Sequence, residues 1–489
     1  MKLLGILGLA ALAACRPPAS PPTPNILNFE THPYEVRTLS YEGQIFRVRA
    51  YEDIIYVSNP IDTVHQRMNI YIPIAYFEGG SIDRFTAESA PIFFPNQVGG
   101  YMPALPGRLQ EKADKASPMG ARTDAMLMAL SKGYVVASPG ARGRTSVQGK
   151  APAVIVDLKA AVRYLRYNDA SMPGNAERII SNGTSAGGAV SALLGATGDS
   201  PDYAPYLRAL GAAEASDAIF AASAYCPITN LENADMAYEW QFRNVADYKK
   251  IDISMLDYKV ERKEVAGRLS EEQQRVSADL AALFPDYLNG LDLSLPNGEK
   301  LSLSQEGEGN FKDLVKQYVL ASARRAQSEG MDMGRYMFLR MEGQDIADLD
   351  FEAYVAYMGR QKTPPAFDAL DLSSGENQLF GDSLSDAKHF TTYSPRHSAS
   401  QDQQADPAIV QLMNPLHFIG RQGVNTARHW RIRHGSKDKD TGLAISVILA
   451  TALNNCGYKV DFALPWDKPH SGDYDLNELF EWMQQAVEQ

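Results

Sequence analysis

The chain is poor in cysteine, short of basic charge and almost without long apolar runs. Its 489 residues include three cysteines, too few for the disulfide framework that staples small secreted domains. One of them, Cys15, falls in a leader segment, which leaves Cys226 and Cys456 in the body. These two either bond to each other in an oxidising compartment or stay as buried thiols, and spacing does not choose between the two. Lysine and arginine number 47 against 59 aspartates and glutamates, a formal net charge of −12. That balance argues against a nucleic-acid partner, because a phosphate-binding face is basic; the acidic surplus serves solubility. Beyond the N-terminus no stretch reaches the roughly 18 uncharged apolar residues of a spanning helix. No histidines and cysteines cluster with zinc-ligand spacing, so neither a metal nor an organic cofactor is expected. The remaining composition, 45% hydrophobic and 22% charged, is that of a globular protein. The length suits two or three domains, or one large α/β domain with an insertion.

What is present begins with a targeting segment. Lys2 precedes the apolar run Leu3–Ala14, too short to span a bilayer, which closes on Leu12-Ala13-Ala14-Cys15. This resembles a bacterial lipoprotein processing site: residues 1–15 act as a signal peptide, and Cys15 becomes the lipidated first residue. The alternative is an ordinary secretory signal that happens to contain a cysteine. Residues 16–30, with Pro17-Pro18-Ala19-Ser20-Pro21-Pro22, read as an extended tether. Arg16 stands where an inner-membrane retention signal carries aspartate, which favours the outer membrane. A soluble, monomeric body held at the cell envelope by a lipid anchor is the expectation.

Along the body, β-rich segments come first: 34–40, 45–51, 54–59 and 68–74, then 91–94, each bounded by turn residues. A loop, Pro95-Asn96-Gln97-Val98-Gly99-Gly100, follows. Strands over 133–138, 178–182 and 218–225 then alternate with helices over 153–167 and 186–197. Alternation of this kind gives an α/β fold, a mostly parallel sheet with helices on both faces. From 231 to 400 the pattern turns mainly helical (262–283, 311–329, 336–358) and densely charged. Strand–helix alternation resumes with 430–434, 442–455, 459–464 and 476–487. The chain therefore divides into a core, 31–230 with 401–489, and an inserted lid domain, 231–400.

Chemistry is concentrated in Gly183-Thr184-Ser185-Ala186-Gly187-Gly188, a G-x-S-x-G between a strand and a helix, the context of a nucleophile elbow. Ser185 would sit on a strained turn with its hydroxyl exposed. The amide of Ala186, at the helix N-terminus, is placed for an anion. A serine hydroxyl needs a base. Of eight histidines, His470 in His470-Ser471-Gly472-Asp473 lies in the loop before the last helix, where an α/β-hydrolase carries its base. His434 is the rival, more suited to packing or hydrogen bonding beneath the site. An acid must hold the imidazole tautomer, and in this fold it falls between serine and histidine in chain order. Asp438, in His434-Gly435-Ser436-Lys437-Asp438, has that position; Asp440 is the alternative. A second oxyanion donor is expected from Gly99 or Gly100, with Gly99 preferred.

Taken together these motifs resemble the bacterial tannases, the tannin acylhydrolases allied to feruloyl-esterase-type carboxylesterases. The resemblance rests on Gly183–Gly188, on Arg433–Thr441, on His470–Asp473 and on the segment from Lys362-Thr363-Pro364-Pro365 to Ser374-Gly375-Glu376-Asn377, and it covers nearly all of the body. It implies an α/β-hydrolase with a lid, a triad at Ser185, Asp438 and His470, and contacts to a galloyl ring from Lys362, Glu376 and Asp440. Three adjacent phenolic hydroxyls suit two carboxylates and an ammonium, and a pocket so built rejects rings that lack them. Polyphenol galloyl esters are the implied substrates. Fungal members of the wider group carry cysteines beside the serine and the histidine; Thr184 and Ser471 stand there in this chain, which places it with the bacterial type. Two other readings stay open: a feruloyl or general aryl esterase (less readily a peptidase) on the same triad, and a non-catalytic surface lipoprotein that binds ligands on a hydrolase scaffold.

Overall fold

The computed structural model describes residues 26–109, 120–256, 259–399 and 403–489. The expected signal peptide, Cys15 and the first part of the expected tether lie outside the described residues. Among those described, no helix is long and apolar enough to cross a membrane.

In chain order the first half carries β1 (Glu35–Tyr41), β2 (Gln44–Ile55), β3 (Arg67–Pro73), β4 (Pro91–Pro95), α1 (Gly120–Ser131), β5 (Val135–Pro139), α2 (Ala153–Tyr167), β6 (Asn175–Thr184), α3 (Ala186–Ala196), α4 (Ala204–Ala209) and β7 (Ala221–Tyr225). Then come α5 (Leu231–Phe242), β8 (Asp247–Leu256), β9 (Lys259–Arg268), α6 (Glu271–Gly290), α7 (Asn310–Ser328), β10 (Leu339–Glu342), β11 (Asp345–Leu349), α8 (Phe351–Met358), α9 (Gly375–Leu379), α10 (Ser394–His397) and α11 (Pro407–Leu412). The chain ends on β12 (His429–Arg433), α12 (Leu443–Asn455), β13 (Lys459–Ala463) and α13 (Leu476–Glu488).

Nine strands form one sheet in the order β1-β2-β3-β5-β4-β6-β7-β12-β13. The three N-terminal strands pair antiparallel, and from β5 to β13 every pairing is parallel. Successive residues of a strand face opposite sides of a sheet. Ile179 and Ile180 of β6 are both fully buried, so both faces of the sheet centre are covered, as a parallel sheet requires. The fold is an α/β-hydrolase with mainly helical insertions. The crossovers leave at the carboxyl ends of the parallel strands, and there Ser185, Asp438 and the His470 loop all emerge.

Several local expectations are corrected. Segment 45–51 and the first two residues of 54–59 are one strand, β2, carried through a bulge between Tyr51 and Ile54 in which Asp53 takes a positive φ of 59°, and 56–59 lie beyond its end. The helix expected over 262–283 begins only at Glu271: before it, β8 and β9 pair as a hairpin. Ser270 and Gln273 form a reciprocal capping box, and that S-x-x-Q spacing was a readable start signal. The helix expected over 336–358 is likewise a hairpin, β10–β11, turned at Gly343 with φ 65°, before α8 begins at its cap Asp350. Helix α1 was not foreseen. Cys226 is buried and Cys456 exposed, both as free thiols, so no bond links them.

Between β7 and β12 no strand among the described residues joins the main sheet. One buried polar knot pins this insertion. Asp368 accepts from His389 Nδ1 (2.7 Å), from Asn377 Nδ2 (2.7 Å) and from the Phe390 and Thr391 amides. Beside it Asp235 of α5 accepts from the amides of Phe367 and Asp368. Each buried carboxylate oxygen thus has a donor, without which burial would be prohibitive. Asn377 is also the third residue of α9, capped by Ser374, so the knot fixes the first turn that carries Glu376.

Candidate active site

Ser185 joins β6 to α3 with φ 64° and ψ −125°, a conformation that L-residues rarely adopt and that persists only where the surroundings enforce it. The surroundings are two hydrogen bonds and a wall of backbone. The Ser185 amide donates to the Tyr225 carbonyl (3.0 Å), and the Ser185 carbonyl accepts from Ile228 N (3.2 Å). A Cβ on Gly183 would lie 2.3 Å from the Gly187 oxygen, and one on Gly187 would lie 2.7 Å from the Val98 oxygen. These contacts explain why the motif has glycine at those places. Asn96, which the sequence offered no reason to single out, ties the following loop to the elbow. Its Nδ2 donates to the carbonyls of Asn182 (3.1 Å) and Gly187 (3.0 Å), and its Oδ1 accepts from Val98 N (3.2 Å). Gly99 and Gly100 are therefore held beside the first turn of α3. Gly99 is exposed, with open space around its Cα, whereas the Gly100 carbonyl accepts from Arg144 Nε (2.8 Å).

Asp438 and His470 are brought together directly. Asp438 is wholly buried, and its Oδ2 lies 2.7 Å from Nδ1 of His470, which keeps 21% of its side chain exposed. The other oxygen of Asp438 accepts from Asp440 N at 2.9 Å. Burial opposes a charged imidazolium, but the Asp438 carboxylate overcomes it and holds His470 well above the ordinary histidine value. Asp440, the alternative acid, is 3.8 Å from His470 Nδ1, and its Oδ1 is held by Gln361 Nε2 at 2.8 Å. His434 is buried beneath, its Nδ1 on Ser446 Oγ at 2.9 Å, and burial holds its basicity below the usual value. That is the supporting place expected of it.

The loop bearing His470 abuts β6, the strand that leads into Ser185. Asn182 Nδ2 donates to Asp473 Oδ1 at 2.9 Å, and a Cβ on Gly472 would fall 1.9 Å from Thr184 Oγ1. Among the described residues no hydrogen bond joins the Ser185 hydroxyl to His470; in free enzymes such contacts are commonly long and close when substrate binds. Cys226, one residue past β7, completes this ground. Its thiol reaches the Ser471 carbonyl at 3.4 Å, and Cys226, Asp438 and His470 offer polar atoms all within 4.8 Å of one another. Nothing in the sequence pattern placed Cys226 there, because its neighbours are set by the order of strands β6, β7 and β12.

The candidate residues of the insertion arrive from two directions. The Lys362 amide and the Gln361 amide both donate to Tyr238 Oη (3.1 Å each), and that hydroxyl donates to the Lys439 carbonyl (3.0 Å). Lys362 is thus moored beside the acid loop, its Nζ 3.8 Å from the centre of the Phe367 ring. Among the described residues it has no ion pair. Glu376, half-buried in the first turn of α9, faces Tyr101, whose hydroxyl donates to the Ile228 carbonyl at 2.7 Å. Burial and then the Glu376 charge push that phenol's ionisation upward. Arg144 stands against Gly375 and bonds Gly100 as well as Gln378, which links α9 to the Gly99–Gly100 loop.

A strained serine at a strand–helix elbow, on a largely parallel sheet, with a buried aspartate on a histidine two loops away, defines the class as α/β-hydrolases of the carboxylic-ester type. A family model described as BD-FAE matches residues 110–270. No curated protein is matched. Among solved structures, the chain is similar to the tannase of Fusobacterium nucleatum (48% identity, TM-score 0.89, 94% of this chain and 99% of that one). It is similar also to the tannase of Lactobacillus plantarum (44% identity, TM-score 0.89, 93% and 98%). A third match is a tannin acyl hydrolase in complex with ethyl gallate (44%, TM-score 0.87, 95% and 99%). The chain belongs to the tannases and is a carboxylic ester hydrolase.

Proposed function

We propose that Ser185, His470 and Asp438 form the catalytic triad through which this tannase hydrolyses galloyl esters. The Nδ1–Oδ2 contact of 2.7 Å to a wholly buried carboxylate carries the reading, since it fixes His470 in the tautomer whose Nε2 is free to take a proton. His470 removes the Ser185 proton as Oγ attacks the ester carbonyl. The amides of Ala186 and Gly99 receive the oxyanion. The alcohol departs with the proton from His470, and water, activated by the same imidazole, releases gallic acid from the galloyl-serine.

Lys362, Glu376 and Asp440 read the ring hydroxyls. Support for this comes from the ammonium of Lys362, which has no ion pair among the described residues, from the mooring of Gln361 to Asp440, and from the tannin acyl hydrolase solved with ethyl gallate. The insertion 231–400 acts as the lid that carries two of the three. Leu12-Ala13-Ala14-Cys15 supports a lipid anchor on Cys15, which would hold the enzyme at the cell envelope, where bulky polyphenols are met.

The BD-FAE match favours one second reading, feruloyl ester hydrolysis on the same triad. Initial rates on methyl gallate and methyl ferulate separate the two. A kcat/KM for gallate at least a hundredfold above that for ferulate is expected, because ferulate, with one phenolic hydroxyl beside a methoxy group, leaves two of these half-buried polar partners unmatched; a preference for ferulate would overturn the galloyl assignment.

A further inference from the structure

The mechanism gives Cys226 no task, yet the fold buries its thiol against the acid–base pair. Sγ of Cys226, the imidazole of His470 and the carboxylate of Asp438 present ligand atoms that all lie within 4.8 Å of one another. Thiolate, imidazole and carboxylate are the donors of tetrahedral sites for borderline-soft cations, with bonds of roughly 2.0–2.3 Å and hence donor separations of about 3.3–3.8 Å. The nitrogen–oxygen separation, 2.7 Å, is shorter than this range, and the sulfur lies within 4.8 Å of both partners. Small shifts of side chains would therefore seat an ion.

A second feature lies beside these three donors. The Nε2 of His434, in a fully buried ring, has no hydrogen-bond partner among the described residues and lies 3.8 Å from Asp438 Oδ2, while its Nδ1 is occupied by Ser446. A buried nitrogen lone pair or N–H left unmatched at this spot is uncommon. It adds a further donor beside the carboxylate, near the same oxygen that meets His470. The open side of the cluster is the partly exposed edge of His470, from which a cation and its last water would enter.

We propose that Cys226, His470 and Asp438 constitute a binding site for a thiophilic divalent cation such as Zn²⁺ or Cd²⁺. Binding exchanges the thiol proton for the metal: Cys–SH loses H⁺ to solvent as Sγ bonds the cation, the Nδ1 proton of neutral His470 is given up while Nε2 takes one from solvent, so that the Nδ1 lone pair is free to bind, and the Asp438–His470 hydrogen bond opens as both become ligands. No electrons are transferred, and a chelator reverses the step. An ion in this place removes the base and its orienting acid together, so the site is inhibitory. That consequence, unlike the site itself, rests on the role given to His470 above.

The test uses the full chain with Cys15 and Cys456 replaced by serine, which leaves Cys226 as the sole thiol of three. Cd²⁺ is titrated into chelator-treated protein while the ultraviolet cadmium–thiolate charge-transfer band and the hydrolysis of phenyl acetate are followed. The expected result is a band that saturates at one equivalent, loss of hydrolysis in parallel, and recovery of both changes on adding EDTA. Cys226→Ser in that background should show no band and require at least tenfold more Cd²⁺ for the same inhibition. If that variant does not fold, Asp438→Asn keeps the thiol and removes a ligand, and its band should need at least tenfold more metal to half-saturate. Absence of the band at inhibitory Cd²⁺, or undiminished sensitivity in Cys226→Ser, would overturn the proposal. A one-equivalent band with hydrolysis unimpaired would leave the metal site standing and remove His470 from the mechanism instead.

Discussion

Replacing Asp438 by asparagine tests the core of the geometry with almost no change of shape. In the protein one oxygen of Asp438 accepts the Asp440 amide at 2.9 Å and the other accepts His470 Nδ1 at 2.7 Å. A carboxamide has a single acceptor oxygen. The Asp440 N–H claims it, which turns the NH₂ toward His470. Facing a donor, Nδ1 must give up its proton, and the proton moves to Nε2, where it blocks acceptance from Ser185. The charge that stabilises the imidazolium is lost as well. Loss of the correct tautomer in a serine triad costs on the order of 10⁴ in kcat, about 5.5 kcal/mol of barrier. We expect Asp438→Asn to lower kcat on phenyl acetate by 10³–10⁴ with KM little changed. Asp440→Asn, whose carboxylate stands 3.8 Å from the same nitrogen and is already engaged by Gln361, should cost less than tenfold on that substrate. The pH profile carries a further sign. A base that works as neutral imidazole with its folded-state basicity raised should put the acid limb of kcat/KM above the ordinary histidine range in the wild type. With Asp438 neutralised, whatever activity remains should show that limb moved down. A drop below tenfold for Asp438→Asn, or a larger drop for Asp440→Asn, would refute the assignment of the acid.

Three other outcomes follow from separate parts of the structure. Glu376→Gln and Asp440→Asn each remove a charged acceptor for a phenolic hydroxyl, and KM for methyl gallate should rise about tenfold while phenyl acetate is spared; equal losses on both esters would show that neither residue reads the ring. Gly435→Ala would place a Cβ 2.1 Å from the Lys468 carbonyl, backbone that cannot swing away. A loss of about 1–3 kcal/mol in denaturant midpoint analysis is expected, and no change would mean the His470 loop is looser than described. Asp235, buried beside Asp368, is pushed up to about 8. A carboxyl raised in the folded state stabilises fully below its unfolded value and loses that contribution as pH climbs through the folded one. The wild-type Tm should therefore decline between roughly pH 4 and 9 relative to Asp235→Asn; parallel curves would contradict this.

The parallel half of the fold was legible because its signals are local and mutually consistent. Helix α2 was read with its observed limits, since Val154, Leu158, Val162 and Leu165 repeat at helical spacing and all are buried. The elbow was legible from glycines whose crowding the structure now explains. In the insertion the reading failed where charge density hid the period. Lys259–Arg268 has no apolar repeat to set against its charges, and only the cap at Ser270 marked the true helix start. The Asp438–His470 pairing was readable from chain order, which the fold dictates. Asn96, Cys226 and Tyr238 were not, because each acts through tertiary neighbours more than 80 residues away. No local pattern records such contacts.

The most direct measurement is to trap the acyl-enzyme. With methyl gallate, rapid acid quenching and peptide mass spectrometry should find a galloyl adduct on the peptide that contains Ser185, accumulating before steady state and absent in Ser185→Ala. A galloyl group on another residue, or steady hydrolysis by Ser185→Ala, would contradict the account.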